Sequence, residues 1–227
     1  MSDAEEQLSN EIFTLFPLPV YKTNIGRKLT KQEKDEFDVI ISEELMEPLP
    51  QDWKQISIDK YLLKRKPLLA IQSFIENHLK EFSTTVLGID VNEISLDITQ
   101  SWLNAYNATS FNPVHNHMNS IISWVFYINC LKLPNNKADE IILLNNGHEM
   151  FRDIELSIAH PTMFSAKAHS VSVVSGDLVL FPSSVRHSVN VNETTDQIRI
   201  SLSFNTFMFG VLGKYEETNE LILKQGK

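Results

Sequence analysis

The sequence contains almost no cysteine. Cys130 is the only one among 227 residues, so no disulfide can form within the chain. A small secreted scaffold held together by disulfides is therefore excluded, and we expect a reducing, cytoplasmic environment. Any metal site must be built from the seven histidines and from oxygen ligands instead of thiolates.

Long apolar runs and an excess of basic residues are also missing. No segment approaches the roughly 18 consecutive apolar residues that span a membrane, and the acidic N-terminus is not followed by the apolar run of a secretory signal. The chain has 29 acidic and 20 basic side chains, a net charge of −9. Such a chain is poorly suited to hold nucleic-acid phosphates over a broad face. We expect neither a membrane nor a nucleic-acid partner, and a homodimer stays open.

Two hydrophobic periods divide the chain. Apolar residues recur at helical spacing in the first third, where Thr30 and Glu33 have the spacing of a capping box and a second helix begins near Pro67. From Ile94 onward, apolar and polar residues alternate in short runs separated by turn residues. This pattern predicts a mainly β fold with flanking helices, an antiparallel sandwich or double-sheet roll with the helices packed on one sheet. We expect one domain over residues 1–227, with an N-terminal arm and helices over 12–92, the β core over 93–209 and a tail over 210–227.

Three histidines occupy positions from which they could share a ligand. His115 and His117 lie two apart in an extended segment, so both imidazoles point the same way. His187 opens a strand after a turn and could reach them across a sandwich. A pair of loop histidines and a histidine bonded at a strand end are the alternatives. His169 would replace His187 if that residue faced elsewhere, and His78, His148 and His160 are expected to be structural.

Arg199 and Ser201 lie on the polar face of the last long strand, between apolar residues that face the other way. If Arg199 points inward, its guanidinium must be paired, because an uncompensated buried charge is very costly. The expected partner is a carboxylate held bidentately, with the Ser201 hydroxyl adding a hydrogen bond. The alternative is a surface arginine on an edge strand.

The order of these pieces resembles a known superfamily. The order of a His-x-His pair, a distant histidine and then Arg-x-Ser resembles that of the double-stranded β-helix (jelly-roll, cupin-like) oxygenases, which depend on Fe(II) and 2-oxoglutarate. Within them the chain is most similar to an uncharacterised bacterial and phage branch, and the likeness runs from about residue 12 to about residue 209. The shared segments are Leu15–Tyr21, Trp102–Asn104, Ser123–Tyr127, Phe181–Ser183 and Phe204–Asn205.

The resemblance implies a metal site with an unusual ligand set. His115, His117 and His187 would bind Fe(II). The wider superfamily uses two histidines and a carboxylate, with Asp or Glu two residues after the first histidine. No histidine in this chain has Asp or Glu at that spacing, and the aligned residue is His117. The resemblance therefore implies a three-imidazole iron centre that carries one negative charge fewer.

The resemblance also implies an activity. 2-Oxoglutarate would bind Arg199 and Ser201, with Asn104, Tyr106 and Tyr127 as supplementary donors, and O2 would be the other cosubstrate. The protein would be an oxidoreductase, a dioxygenase of the hydroxylase type. It would couple decarboxylation of 2-oxoglutarate to succinate with oxidation of a C–H bond in a small molecule or a peptidyl side chain.

Two other functions stay open at this point. One is a non-catalytic jelly-roll module that binds a small ligand or a metal. The other is a three-histidine metalloenzyme of the cupin type that uses no cosubstrate. The Arg-x-Ser pair distinguishes them from the oxygenase, because only the oxygenase needs a second carboxylate anchor.

Overall fold

The computed structural model describes residues 11–42, 46–49, 54–134, 137–145, 154, 157–213 and 219–224. Two α-helices precede most of the strands, α1 (Lys31–Ser42) and α2 (Leu69–Glu81), and α2 continues into a π-helical turn at Phe82–Val86. The strands are β1 (Tyr21–Asn24), β2 (Met46–Pro48), β3 (Gln55–Ser57), β4 (Ile94–Tyr106), β5 (Asn112–His115), β6 (Ile122–Asn129), β7 (Asp139–Leu144), β8 (Ala168–Val173), β9 (Asp177–Pro182), β10 (His187–Val189), β11 (Arg199–Leu212) and β12 (Leu221–Leu223).

The strands form two sheets. The larger sheet has the order β1-β9-β6-β11-β4-β3-β2, with β12 added to the end of β11, and the smaller sheet has the order β5-β10-β7-β8. The pairings between these strands are antiparallel. The prediction of a mainly β, double-sheet fold is confirmed. The segment predicted as a C-terminal tail supplies the end of β11 and all of β12, while the single-domain organisation stays a prediction.

The first helix begins at the predicted capping box. The Glu33 amide donates to the Thr30 hydroxyl at 3.2 Å, and the Glu33 carboxylate accepts the Thr30 amide at 2.7 Å. Arg27 also binds this carboxylate with two nitrogens, at 2.6 and 2.7 Å. These contacts satisfy the free amides of the first turn and hold α1 against the residues that precede it.

Both helices cover the outer face of the larger sheet. Apolar residues on one side of each helix pack against the sheet residues that point outward, and together they form the larger hydrophobic core. Its fully buried members include Ile40, Ile71 and Ile75 from the helices and Phe126, Leu180, Leu202 and Phe204 from the sheet. The prediction that the N-terminal helices pack on one sheet is confirmed.

The inner face of the larger sheet faces the smaller sheet and is partly polar. A second hydrophobic cluster lies between the two sheets, and it includes Tyr127, Leu143 and Phe181. Because side chains alternate along a strand, Leu202 and Phe204 point to the helices while Arg199, Ser201 and Ser203 point between the sheets. The polar face predicted for β11 therefore lines the interior of the fold. Within the described residues, no helix has the length and apolar character needed to cross a membrane.

Candidate metal centre

The structure brings His115, His117 and His187 together at one end of the space between the sheets. His115 ends β5 and lies directly opposite His187, the first residue of β10. His117 lies in the loop that follows β5, and its own backbone amide donates to the Ser183 carbonyl at 3.1 Å. One ring nitrogen of each histidine lies within 4.8 Å of those of the other two, which is close enough for all three to bind one metal ion.

The hydrogen bonds of the three rings fix which nitrogen faces the shared space. Each Nδ1 lies beside an oxygen acceptor: the carbonyl of Pro113 for His115 at 2.8 Å, the carbonyl of Val185 for His187 at 3.0 Å, and Asn205 Oδ1 for His117 at 2.6 Å. An acceptor at Nδ1 places the ring proton there, so the Nε2 lone pair remains for a metal. His115 Nε2 also lies 3.3 Å from the Asn112 amide nitrogen, a long contact that a metal ion would replace.

Burial keeps these imidazoles neutral. Desolvation, together with a smaller effect of the neighbouring imidazoles, lowers the pKa of His187 to about 3 and that of His115 to about 4. The pKa of His117 is also lowered by desolvation, although its hydrogen bond to Asn205 acts in the opposite direction. All three rings are therefore in the neutral form that binds metals at neutral pH. Three imidazole donors suit Fe(II) among other divalent transition metals, so the site fits iron.

Asn205 is the outer partner that orients His117, and its replacement should weaken metal binding. Besides His117, its Oδ1 lies 3.3 Å from the Ser123 hydroxyl. In Asn205→Leu the His117 ring loses its fixed orientation, and we expect the affinity for Fe(II) or Zn(II) to fall about 10- to 100-fold, the usual cost of losing an outer partner. Metal titration monitored by calorimetry measures this. Asn129→Leu, on the neighbouring strand and without a histidine contact, is the control; equal affinities in the two variants would contradict the orienting role.

A cavity of about 350 Å³ adjoins the three histidines. Its walls come from the inner face of the larger sheet, from β5 and β10, and from the segment around β3. The lining residues include the three histidines and Lys54, Trp102, Tyr106, Tyr127, Phe181, Ser201 and Ser203. The cavity is large enough for a small ligand, and its wall is mostly apolar with a few polar groups.

The residues predicted to bind the cosubstrate are grouped at this cavity, but not all of them line it. Ser201, Tyr106 and Tyr127 do. Asn104 is buried in the row of side chains that includes Ser201 and Tyr127, and its amide donates to the Ser203 hydroxyl at 2.8 Å. Arg199 points between the sheets but is not among the lining residues.

Arg199 has the bidentate carboxylate partner that its burial requires, and that partner belongs to the chain itself. Its Nε and Nη2 donate to the two carboxylate oxygens of Asp139 at 2.7 and 2.5 Å, and its Nη1 donates to the Asn190 carbonyl at 3.1 Å. Both members of the pair are at most 3% exposed. The alternative of a surface arginine is excluded. The pair joins β11 of the larger sheet to β7 of the smaller one.

Lys54 is a cavity residue that sequence reasoning did not identify. It lies directly before β3, is 8% exposed, and its Nζ donates to Asn104 Oδ1 at 2.8 Å. Desolvation lowers the pKa of its ammonium group to about 7, with a further contribution from the charge of Lys60. No motif marks it, because a lysine beside a strand usually lies on the surface.

Among the residues that the structure describes, no other histidine joins the site. The Nδ1 of His78 lies 2.8 Å from the Tyr21 hydroxyl, and its ring packs edge-on against Phe74, which agrees with the structural role expected for it. His169, the predicted substitute for His187, is exposed on β8, and His160 is exposed in a loop. His148 lies outside the described residues.

The sequence matches the model of one protein family. Residues 100–205 match the model of a family described as "Putative 2OG-Fe(II) oxygenase". This range contains all three histidines, Arg199 and Ser201. No curated protein matches the sequence.

Several solved structures share the fold. A Trichoplax adhaerens prolyl hydroxylase, solved with a peptide of hypoxia inducible factor, has a TM-score of 0.57 at 13% identity, covering 83% of each chain. A Pseudomonas putida prolyl-4-hydroxylase has a TM-score of 0.53 at 17% identity, covering 83% of this chain and 92% of that one. HygX from Streptomyces hygroscopicus, solved with nickel and 2-oxoglutarate, has a TM-score of 0.53 at 12% identity, covering 83% of this chain and 82% of that one. At these identities the likeness is one of fold, and it confirms the predicted jelly roll.

Proposed function

We infer that this chain belongs to the 2OG-Fe(II) oxygenase family and is an Fe(II)- and 2-oxoglutarate-dependent oxygenase. The observation that carries this function is the set of three histidines at the cavity, with each Nδ1 bonded to an oxygen acceptor and each Nε2 left for a metal. Iron and 2-oxoglutarate supply the activation of dioxygen when they are bound. The protein's own contribution is to hold the metal, orient the cosubstrate and exclude water.

We propose His115, His117 and His187 as the metal ligands. His115 and His187 belong to the smaller sheet, and His117 belongs to the loop that follows β5. The cavity wall comes mainly from the larger sheet. Each ligand is fixed by a separate backbone or amide oxygen, so their mutual geometry exists before the metal binds. Phe181 packs edge-on against His187 with ring centroids 4.8 Å apart, and Trp102 stacks on His117 at 5.8 Å. These rings would keep water away from a bound metal on two sides.

We propose that 2-oxoglutarate lies along the inner face of β11, beside Ser201, Tyr106 and Tyr127. Burial raises the pKa of Tyr106 and that of Tyr127 well above the usual value of a tyrosine, so both hydroxyls stay protonated and can donate to a carboxylate. Asn104 supports Ser203 and Lys54 from the neighbouring strand. Arg199 lies behind the Tyr106 ring, with Cζ 5.6 Å from its centroid. A carboxylate of 2-oxoglutarate at Arg199 would have to share the guanidinium donors with Asp139.

The reaction we propose is hydroxylation of a C–H bond in a small molecule or a peptidyl side chain. Two of the structures with the same fold are prolyl hydroxylases. The apolar rings at the cavity suit a substrate carbon that must be kept dry.

An anaerobic binding experiment tests the proposed function. Fe(II) and 2-oxoglutarate together should give a weak visible absorption band, and admission of O2 should yield succinate. A protein that binds iron but shows no band with 2-oxoglutarate would be a cupin-type metalloprotein without a cosubstrate. A band without succinate would indicate a non-catalytic binding module.

Replacing His117 by aspartate should preserve iron binding. The variant restores the two-histidine, one-carboxylate ligand set of the wider superfamily, and the added negative charge favours a divalent cation. We expect His117→Asp to bind Fe(II) at least about tenfold more tightly than His117→Ala, measured by metal titration of the two variants. Equal, weak affinities in both would contradict a place for His117 among the ligands.

A further inference from the structure

Lys54 is a buried cation at the wall of the same cavity, and the residues proposed above do not include it. Its side chain lines the cavity together with the three histidines. Its hydrogen bond to Asn104 Oδ1 at 2.8 Å is to a neutral acceptor, and the amide group of Asn104 is itself held by Ser203. The ammonium group is thus held in place while its charge remains uncompensated by this contact.

Within the described residues, no carboxylate forms an ion pair with Lys54. The neighbouring cation Lys60 is paired with Glu47 and lowers the pKa of Lys54. Arg199 differs in this respect, because Asp139 neutralises it. Of these two cations, Lys54 has no counter-ion in the described part of the chain, so an anion that enters the cavity would meet an unpaired positive charge at Lys54 and not at Arg199.

The Lys54 charge also reaches the metal site. The positive charge of Lys54 contributes to the lowered pKa values of His115, His117 and His187, whereas the charge of Arg199 contributes to none of these shifts. The Nζ of Lys54 lies 5.7 Å from the centroid of the Tyr106 ring, which Arg199 contacts as well. Three neutral imidazoles add no negative charge to a bound divalent metal. A metal ion and Lys54 would therefore repel each other unless an anionic ligand binds beside both.

We propose that the Lys54 ammonium group binds a carboxylate of the 2-oxo acid and is the charged anchor of the cosubstrate in this cavity. The inference rests on the proposed function, because it takes the ligand to be 2-oxoglutarate. A carboxylate at Nζ would stabilise the charged form of Lys54, whose pKa burial lowers to about 7. 2-Oxoglutarate has two carboxylates, one next to the oxo group and one at the far end, and either has the required chemistry.

The test compares ligand binding by the intact, metal-loaded protein and by Lys54→Met, a variant of similar volume without the charge. Under anaerobic conditions with Fe(II), or in air with Ni(II), we expect the dissociation constant of 2-oxoglutarate to rise about 10- to 100-fold, the usual effect of losing a charged hydrogen bond. Metal affinity without 2-oxoglutarate should be unchanged or higher, because a repelling cation is removed. This second readout separates loss of the anchor from damage to the site. Lys54→Arg should retain more affinity than Lys54→Met, and Lys60→Met, whose ammonium lies outside the cavity lining, should bind like the wild type.

A second ligand identifies which carboxylate Lys54 binds. 2-Oxopentanoate has the carboxylate next to the oxo group but lacks the distal one. If Lys54→Met loses affinity for both acids, Lys54 binds the carboxylate next to the oxo group; if it loses affinity for 2-oxoglutarate alone, Lys54 binds the distal one. Unchanged affinity for both acids overturns the proposal while the proposed function stands. A metal-loaded wild-type protein that binds no 2-oxoglutarate overturns both.

Discussion

Asp139→Ala should lower the free energy of unfolding by about 3–5 kcal/mol, the cost of leaving one member of a buried ion pair without its partner. The guanidinium of Arg199 would keep the Asn190 carbonyl but lose both carboxylate contacts in a site that excludes water. The substitution also removes the acceptor for two backbone amides, those of Leu131 and Glu140. Urea unfolding followed by circular dichroism measures the change.

Two further variants decide whether the buried pair causes this loss. Asp35→Ala removes one member of an exposed pair with Lys31 on α1, and its effect should stay within about 0.5 kcal/mol. The double variant Asp139→Leu with Arg199→Met replaces both charges by apolar groups and should be more stable than Asp139→Ala, because no charge remains buried alone. A stability of Asp139→Ala within about 1 kcal/mol of the wild type would contradict a structural role for the pair.

The buried pair also shows where prediction from the sequence ends. The alternation along β11 places Arg199 on the face opposite its apolar neighbours, and it predicts a paired guanidinium if that face points inward. The identity of the partner could not follow, because Asp139 is 60 residues away on the other sheet and begins a strand where an acidic residue usually faces solvent. Contacts between sheets depend on their packing, which local periodicity does not encode.

The metal site was more predictable than its surroundings. The spacing of His115 and His117 and the position of His187 after a turn predicted these residues as candidate ligands. The structure brings all three together. Asn205, which orients His117, appeared in the sequence only as part of a shared segment, and its contact spans 88 residues. Lys54 carried no signal at all. A residue that faces a cavity from beside a short strand cannot be distinguished by pattern from one that faces solvent.

The helical third of the chain was predictable for a different reason. The capping box at Thr30 and Glu33 is a local interaction between residues three apart, and it forms as expected. The apolar stripes of α1 and α2 predicted that each helix packs against another element, and the outer face of the larger sheet is that element. The short strands β2 and β3, which extend the sheet beyond β4 and bring Lys54 to the cavity, have three residues each and no alternation long enough to detect.

Removal of His187 should have the largest effect on metal binding. It is the most buried of the three proposed ligands, at 4% exposure, and its Nδ1 contact with the Val185 carbonyl holds the ring in place. His187→Ala leaves two imidazoles, and we expect the affinity for Fe(II) or Zn(II) to fall more than about 100-fold, beyond the usual cost of losing an outer partner. Succinate formation from 2-oxoglutarate should be lost with it.

His169→Ala is the matched control, because that histidine lies on β8 of the same sheet and is exposed. It should bind metal like the wild type. The metal-free His187→Ala protein should lose less stability than the wild type as the pH falls from about 6.5 towards 4. In the wild type the unfolded chain takes up a proton at His187 in this range, whereas burial keeps the folded ring neutral until about pH 3, and the variant lacks that difference. If His187→Ala retains wild-type metal affinity while His169→Ala loses it, the three-histidine centre is wrong and the ligand set must include β8.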